Sequence, residues 1–176
     1  RAHPGQPEER GSGSAKDSHV IYHLILGSNM DEPELQINKA VDLIAAEEDI
    51  TLLRKSSLAI TKAYGYERQD DFFNQVLEIE SQLAPEALLL RLQSIEEQRG
   101  RIRGFKWGPR RIDIDILLAG DLVIKVKHLE IPHYDFHNRE FALKLLCELI
   151  PEQIHPVYHK TMSELLEALG SPGGNK

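Results

Sequence analysis

Apolar and polar positions change period several times along the chain, and each change marks an element. Val20 to Leu26 is a short apolar run followed by Gly27-Ser28-Asn29, which predicts a buried strand closing in a turn. Pro33 stands where a helix begins, and Ile37, Val41 and Ile44 continue at helical spacing. Partial alternation from Thr51 to Thr61 predicts a second strand, the segment from Lys62 to Asp71 a long loop, and Phe72 to Glu80 a third strand. Phe72 and Asn74 lie two apart on that strand and share a face. Pro85 opens another helix, with Leu88, Leu92 and Ile95 on its buried side and Gln93, Glu96 and Gly100 close together on another.

The stretch from Gly100 to Leu118 follows directly, and its second half alternates strictly. Ile112, Ile114 and Ile116 fall on one face of a predicted strand, Asp113 and Asp115 on the other. Beyond it come a short strand-like piece at Leu122 to Val126, the segment from Ile131 to Arg139, and a helix with Phe141, Leu145 and Leu149 in register, ended by Pro151. A last helix carries a capping box, Thr161 with Glu164, and stops at Gly170. The leading order β-α-β-β-α-β predicts an α+β protein, a ferredoxin-like sandwich with an antiparallel sheet, both helices on one face, and additional C-terminal helices.

Two carboxylates at neighbouring positions repel and raise each other's pKa unless a cation, a proton or open water compensates. Asp113 and Asp115 could be the solvated face of a half-buried edge strand. They could equally hold Mg²⁺, which takes one or two carboxylates and leaves its other positions to water and phosphates. The cations just before them, Arg99, Arg101, Arg103, Lys106, Arg110 and Arg111, exceed what a metal site requires and suit a polyphosphate. The turn Trp107-Gly108-Pro109 brings those cations back over the carboxylates and favours the second reading.

Composition narrows the class. The chain has 176 residues, 41% hydrophobic and 28% charged, within the range of one globular domain. We expect that domain over residues 19–170, between residues 1–18, a flexible N-terminal tail or a cloning remnant, and a short tail over 171–176. A net charge of -7 argues against a general nucleic-acid binder, so the cationic stretch is local and fits a small anionic ligand. One cysteine, Cys147, permits no intramolecular disulfide and reads as a small buried hydrophobe. No run approaches the length of a membrane span and no signal-peptide core is visible, so a soluble cytoplasmic protein is expected.

Taken in order, Leu26-Gly-Ser-Asn29, Asp71-Phe-Phe-Asn74, Gly100-Arg-Ile-Arg103, Trp107-Gly-Pro-Arg110, Asp113-Ile-Asp-Ile-Leu117 and Ile131-Pro-His133 with Arg139 and Phe141 resemble the 6-hydroxymethyl-7,8-dihydropterin pyrophosphokinase family of folate biosynthesis. The similarity runs from about Val20 to Pro151. It implies transfer of the β,γ-pyrophosphoryl unit of MgATP to the hydroxymethyl oxygen of the dihydropterin, with release of AMP. By the resemblance, Asp113 and Asp115 would hold two Mg²⁺ ions. Arg101 and Arg103, implied in catalysis, would contact phosphate with Arg110, and Arg139 and His133 would grip the polyphosphate from the other side. Gln93, Glu96 and Tyr134 match positions lining the nucleotide site. Phe72 and Phe141 match an aromatic pair that sandwiches the pterin, Asn74 an amide that bonds its edge, and Trp107 a side chain that closes over both substrates.

The sequence departs from the family pattern at Thr61-Lys-Ala-Tyr-Gly65, where many relatives carry prolines after the threonine and a smaller apolar residue at the position of Tyr64. Thr61 and Tyr64 are the pterin-binding candidates there. A noncatalytic nucleotide-binding regulatory module on the same sandwich is the alternative, and it would need the cations and aromatics but not both aspartates. An RNA-recognition domain shares the topology, but no aromatic RNP-like strand motif is present and the charge has the wrong sign.

Overall fold

A computed structural model describes residues 19–30, 32–62, 71–100 and 112–170. Strand β1 (Val20–Ser28) leads into helix α1 (Pro33–Ala45), then β2 (Ile50–Lys55), β3 (Ala59–Thr61), β4 (Phe72–Ser81) and α2 (Pro85–Gln98). Strand β5 (Asp113–Ala119) follows, with a hairpin of β6 (Ile124–Val126) and β7 (Leu129–Ile131), a 3₁₀ turn at Phe136–Asn138, and helices α3 (Glu140–Leu149) and α4 (Met162–Gly170). The main sheet runs β2-β4-β1-β5, with β3 added beside β4, and every pairing is antiparallel. This is the predicted ferredoxin-like α+β arrangement.

The two faces of the sheet bury different layers. Tyr22, Leu24 and Leu26 of β1, Leu77 and Ile79 of β4, and Ile114 and Ile116 of β5 pack with Ile37, Ile44, Leu88, Leu92 and Ile95 of α1 and α2. On the opposite face Ile25, Val76, Leu117 and Leu118 pack beneath Leu143, Leu145 and Leu146 of α3 and Met162 of α4. Burial of each such side chain contributes on the order of 2 kcal/mol. Asp113 and Asp115, out of phase with Ile114 and Ile116, therefore point toward the α3 side. The alternation ends just after them. Leu24 pairs with Ile116 but His23 with Leu118, so Leu117 is an extra residue, a bulge that turns both leucines to the α3 layer.

The elements also differ from the sequence expectation between β2 and β3, at β6 with its unpredicted partner β7, and at the end of β1. The strand predicted over Thr51 to Thr61 is two strands. Ser56 breaks it by exchanging bonds with one β4 residue: its N–H donates to Val76 O (2.9 Å) and its Oγ accepts Val76 N–H (2.9 Å). Three residues, 56–58, then face two on β4, Gln75 and Val76. The piece predicted at Leu122 to Val126 begins only at Ile124 and pairs with β7, leaving Leu122 and Val123 exposed outside it. Gly27 and Ser28, read as a turn, are still strand, paired with Asn74 and Phe73.

The capping box forms as expected: Glu164 N–H donates to Thr161 Oγ1 and Thr161 N–H to Glu164 Oε1, both at 3.1 Å. Cys147 is half-buried against the α3 layer, and burial raises its thiol pKa. No helix among the described residues is long and apolar enough to cross a membrane.

Two buried histidines give the fold a pH dependence. His155 is 2% exposed, and its Nδ1 accepts the N–H groups of Val157 (3.1 Å) and Tyr158 (3.2 Å). Burial, helped by His137 and His159, pushes its pKa from 6.5 to about 4. Burial also lowers the pKa of His23, against the pull of Glu78. The unfolded chain binds protons at these sites that the folded chain refuses, so stability is unaffected by them above pH 6.5 and falls as pH drops below it, for His155 toward about 4. Urea midpoints should fall between about pH 7 and about pH 5, and His155→Gln should flatten that fall; a midpoint indifferent to pH contradicts it.

Candidate active site

Four neighbouring strands present one residue each in a row across the α3 face. Ala59 of β3 pairs with Asn74 of β4, Asn74 with Gly27 of β1, and Gly27 with Asp113 of β5. Adjacent strands are about 4.8 Å apart, so the backbones that carry Asn74 and Asp113 lie about 10 Å apart with a glycine between them. A Cβ on Gly27 would come within 3.0 Å of Asn74 Oδ1. The missing side chain therefore makes room for the Asn74 amide, which leans over the glycine.

A cleft of about 260 Å³ stands over this row. Ile25 and Gly27 form part of its floor; Thr61, Phe72, Asn74 and Phe141 line it together with Asp113, Asp115 and Arg139. Phe72 and Phe141 are half-buried, Asn74 is buried, Asp113 is half-buried and Asp115 is exposed. Asn74 Nδ2 donates to Thr61 Oγ1 at 3.3 Å, and Thr61 Oγ1 donates to Phe72 O at 3.5 Å, which fixes the orientation of the amide. The cleft thus joins an apolar, amide-bearing region to a region of two carboxylates and a guanidinium.

Arg139 is held where α3 begins. Asp135 Oδ2 accepts its Nε–H at 3.3 Å and Asp135 Oδ1 accepts Asn138 Nδ2–H at 3.0 Å, bonds that hold the Asp135 pKa below the usual carboxylate value. His133 is anchored to the β5 bulge, its N–H donating to Leu117 O at 2.9 Å. Its Nδ1 accepts the Asp135 N–H (3.1 Å), so the neutral ring carries its proton on Nε2. Burial lowers its pKa, with Asp115 pulling the other way. Tyr134 stacks on His133 with ring centroids 4.7 Å apart.

The structure therefore gathers Thr61, Phe72, Asn74, Asp113, Asp115, Arg139 and Phe141 into one cleft. Gln93, Glu96, His133 and Tyr134 are not among its lining residues. Gln93 is exposed on α2. Glu96 accepts the Ile114 N–H at 3.3 Å, tying α2 to the edge of β5 between the two aspartates. Tyr64, Arg101, Arg103, Trp107 and Arg110 lie outside the described residues, as do both predicted tails. Sequence reading missed Ile25 and Gly27 as cleft residues. Leu26-Gly-Ser-Asn29 carries the Gly27 signal, but its local pattern reads as a turn glycine.

Comparison with known proteins agrees with this architecture. Residues 23–151 match the family model of 7,8-dihydro-6-hydroxymethylpterin-pyrophosphokinase. A 2-amino-4-hydroxy-6-hydroxymethyldihydropteridine pyrophosphokinase of Aquifex aeolicus is 42% identical over 81% of this chain and 88% of its own length. Its counterpart from Haemophilus influenzae is 40% identical over 78% of this chain and 86% of its own. Among solved structures, Plasmodium falciparum HPPK-DHPS with pteroate superposes with a TM-score of 0.69 at 17% identity, which supports the fold. That match covers 85% of this chain but 42% of the other, so the chain spans less than half of that neighbour's length.

Fold and relatives together define an ATP-dependent diphosphotransferase acting on small molecules. The chain belongs to the 7,8-dihydro-6-hydroxymethylpterin-pyrophosphokinase family, enzymes of folate biosynthesis. The same relatives weigh against a noncatalytic nucleotide-binding module.

Proposed function

We propose that the cleft binds 6-hydroxymethyl-7,8-dihydropterin at its Asn74 end and the phosphates of MgATP at its aspartate end. The observation that carries this reading is the row Asn74–Gly27–Asp113. It places a mixed donor and acceptor and a carboxylate on the same open face of the sheet, two strands apart and lining one cleft. Phe72 and Phe141 supply flat apolar contact on the ring, and Asn74, donor and acceptor at once, reads its edge.

Asp113 and Asp115 suit two Mg²⁺ ions by the chemistry of their donors. Both offer hard oxygen, and among the described residues no group of three or more His, Cys, Asp or Glu side chains could hold a metal by itself. A pair of carboxylates leaves positions free for phosphate oxygens, as Mg²⁺ prefers. When bound, such ions neutralise the triphosphate and polarise its phosphorus centres. Arg139 lies beside the aspartates as a fixed, permanently charged donor to phosphate. His133 offers its Nε2–H nearby, and by the family resemblance Arg101, Arg103 and Arg110 are assigned to the polyphosphate and Trp107 to substrate binding.

In the transfer, the hydroxymethyl oxygen bonds to the β-phosphorus. The bond from that phosphorus to the α,β-bridging oxygen breaks, AMP leaves with the electron pair, and the hydroxyl proton is lost. The protein contributes mainly by positioning and charge, because phosphoryl chemistry asks little covalent help of it. We assign the enzyme to the cytoplasm, where its one cysteine, Cys147, stays reduced. Incubation with MgATP and the dihydropterin should release AMP in equal amount to the diphosphorylated pterin. Release of ADP, or no turnover, would overturn the reading.

A further inference from the structure

Helix α3 enters the cleft at one end through Phe141, just after Arg139, whose side chain Asp135 of the preceding turn holds, and is fastened at the other. Both oxygens of Glu148, in its last turn, are taken by a single residue of the β2–β3 joint: Ser57 N–H donates to Oε1 at 2.9 Å and Ser57 Oγ–H to Oε2 at 2.7 Å. The carbonyl of the next residue, Leu149, accepts Arg54 Nη2–H at 2.9 Å. Arg54 is itself held by both oxygens of the buried Glu78, at 3.0 and 2.8 Å, and Glu78 also meets buried His23 at 2.9 Å.

The joint is firm on its other side too. Gln75 Nε2–H donates to Ser56 O at 2.7 Å, beside the two bonds between Ser56 and Val76. Ser56 and Ser57 therefore couple β4, which carries Phe72 and Asn74, to α3, which carries Phe141, and β3 with Thr61 leaves the same joint. The apolar underside of α3, Ala142, Leu143, Leu145 and Leu146, holds the helix on the sheet by contact that is largely non-directional. A two-point bond to a carboxylate adds a directional constraint at one end.

We infer that Glu148 and Ser57 are positioning residues for the pterin pocket, setting the distance of Phe141 from Phe72 through the axis of α3. Phe141 and Glu148 are seven residues apart, about 10 Å along the helix, so a tilt of about 5° at the fastened end moves the ring by about 1 Å. Displacement of that size costs a positioned site up to about 10²-fold. Exposed polar pairs add at most about 1 kcal/mol to stability, so this fastening acts on placement far more than on folding.

The inference rests on the assignment of Phe141 to the pterin, and the test separates the two. Steady-state kinetics are measured with each substrate varied, alongside melting midpoints, for Glu148→Ala, Glu148→Gln, Ser57→Ala and Phe141→Ala. Glu148→Ala should raise the KM for 6-hydroxymethyl-dihydropterin about tenfold and leave the KM for ATP within about twofold. Glu148→Gln, which keeps one acceptor, should recover part of the loss, and Ser57→Ala should reproduce a smaller rise even if Glu148→Ala folds poorly. If Phe141→Ala raises the pterin KM and neither Glu148→Ala nor Ser57→Ala does, the inference is overturned while the pocket stands. Equal loss for both substrates together with a lowered melting midpoint overturns it as well. A pterin KM unmoved by Phe141→Ala overturns the pocket assignment itself.

Discussion

Replacing Asp115 with alanine is expected to lower turnover by about 10³-fold, because a metal ligand supplies several kcal/mol of transition-state stabilisation and each 1.4 kcal/mol or so is tenfold in rate. The fold should survive the change. Asp115 is exposed, so its removal opens no cavity. Its loss also relieves repulsion within a pair of like charges on one strand face. The melting midpoint without ligands should therefore stay the same or rise slightly while activity collapses. Quench-flow or coupled assays of AMP release, run beside thermal melts, check both halves. Activity retained within a few fold would remove the aspartates from the chemistry.

Asn74→Ala should act on the other substrate. The amide is buried, and its only described side-chain partner is Thr61, at 3.3 Å. Its removal would leave polar groups at the pterin edge unmatched in a partly desolvated cleft, a cost of about 1–3 kcal/mol, or roughly 5- to 150-fold in kcat/KM for the dihydropterin. Thr61 keeps its bond to Phe72 O, so the local strand pairing should persist. The KM for ATP should move little, since the amide lies across Gly27 from the carboxylates. Equal damage to both substrates would mean that Asn74 holds the sheet rather than the pterin.

These expectations rest on features of unequal visibility in the sequence. The alternation of Ile112, Ile114 and Ile116 with Asp113 and Asp115 was legible because a strand's period of two turns neighbours to opposite faces whatever surrounds it. The same rule put Phe72 and Asn74 together. Helix starts were legible at Pro33 and Pro85, where proline needs no N–H partner. The break at Ser56 was not, because serine keeps the polar rhythm of a strand and the break depends on Val76, twenty residues away. The bulge at Leu117 was hidden in an apolar run that reads as continuous strand. Gly27 was visible but misassigned, since only the approach of Asn74 from the neighbouring strand shows why a side chain there would collide. The ties of Arg54, Glu78 and His23 join three separate stretches of chain, and no local pattern announces them.

The central claim, that two carboxylates on one strand face hold divalent ions beneath a triphosphate, is tested most directly by calorimetric titration of a nonhydrolysable ATP analogue with and without Mg²⁺. Wild-type protein should bind the analogue at least about tenfold more tightly when Mg²⁺ is present, and Asp115→Asn should abolish that difference. An affinity indifferent to Mg²⁺ in the wild type, or a Mg²⁺ effect of the same size in the variant, would contradict it.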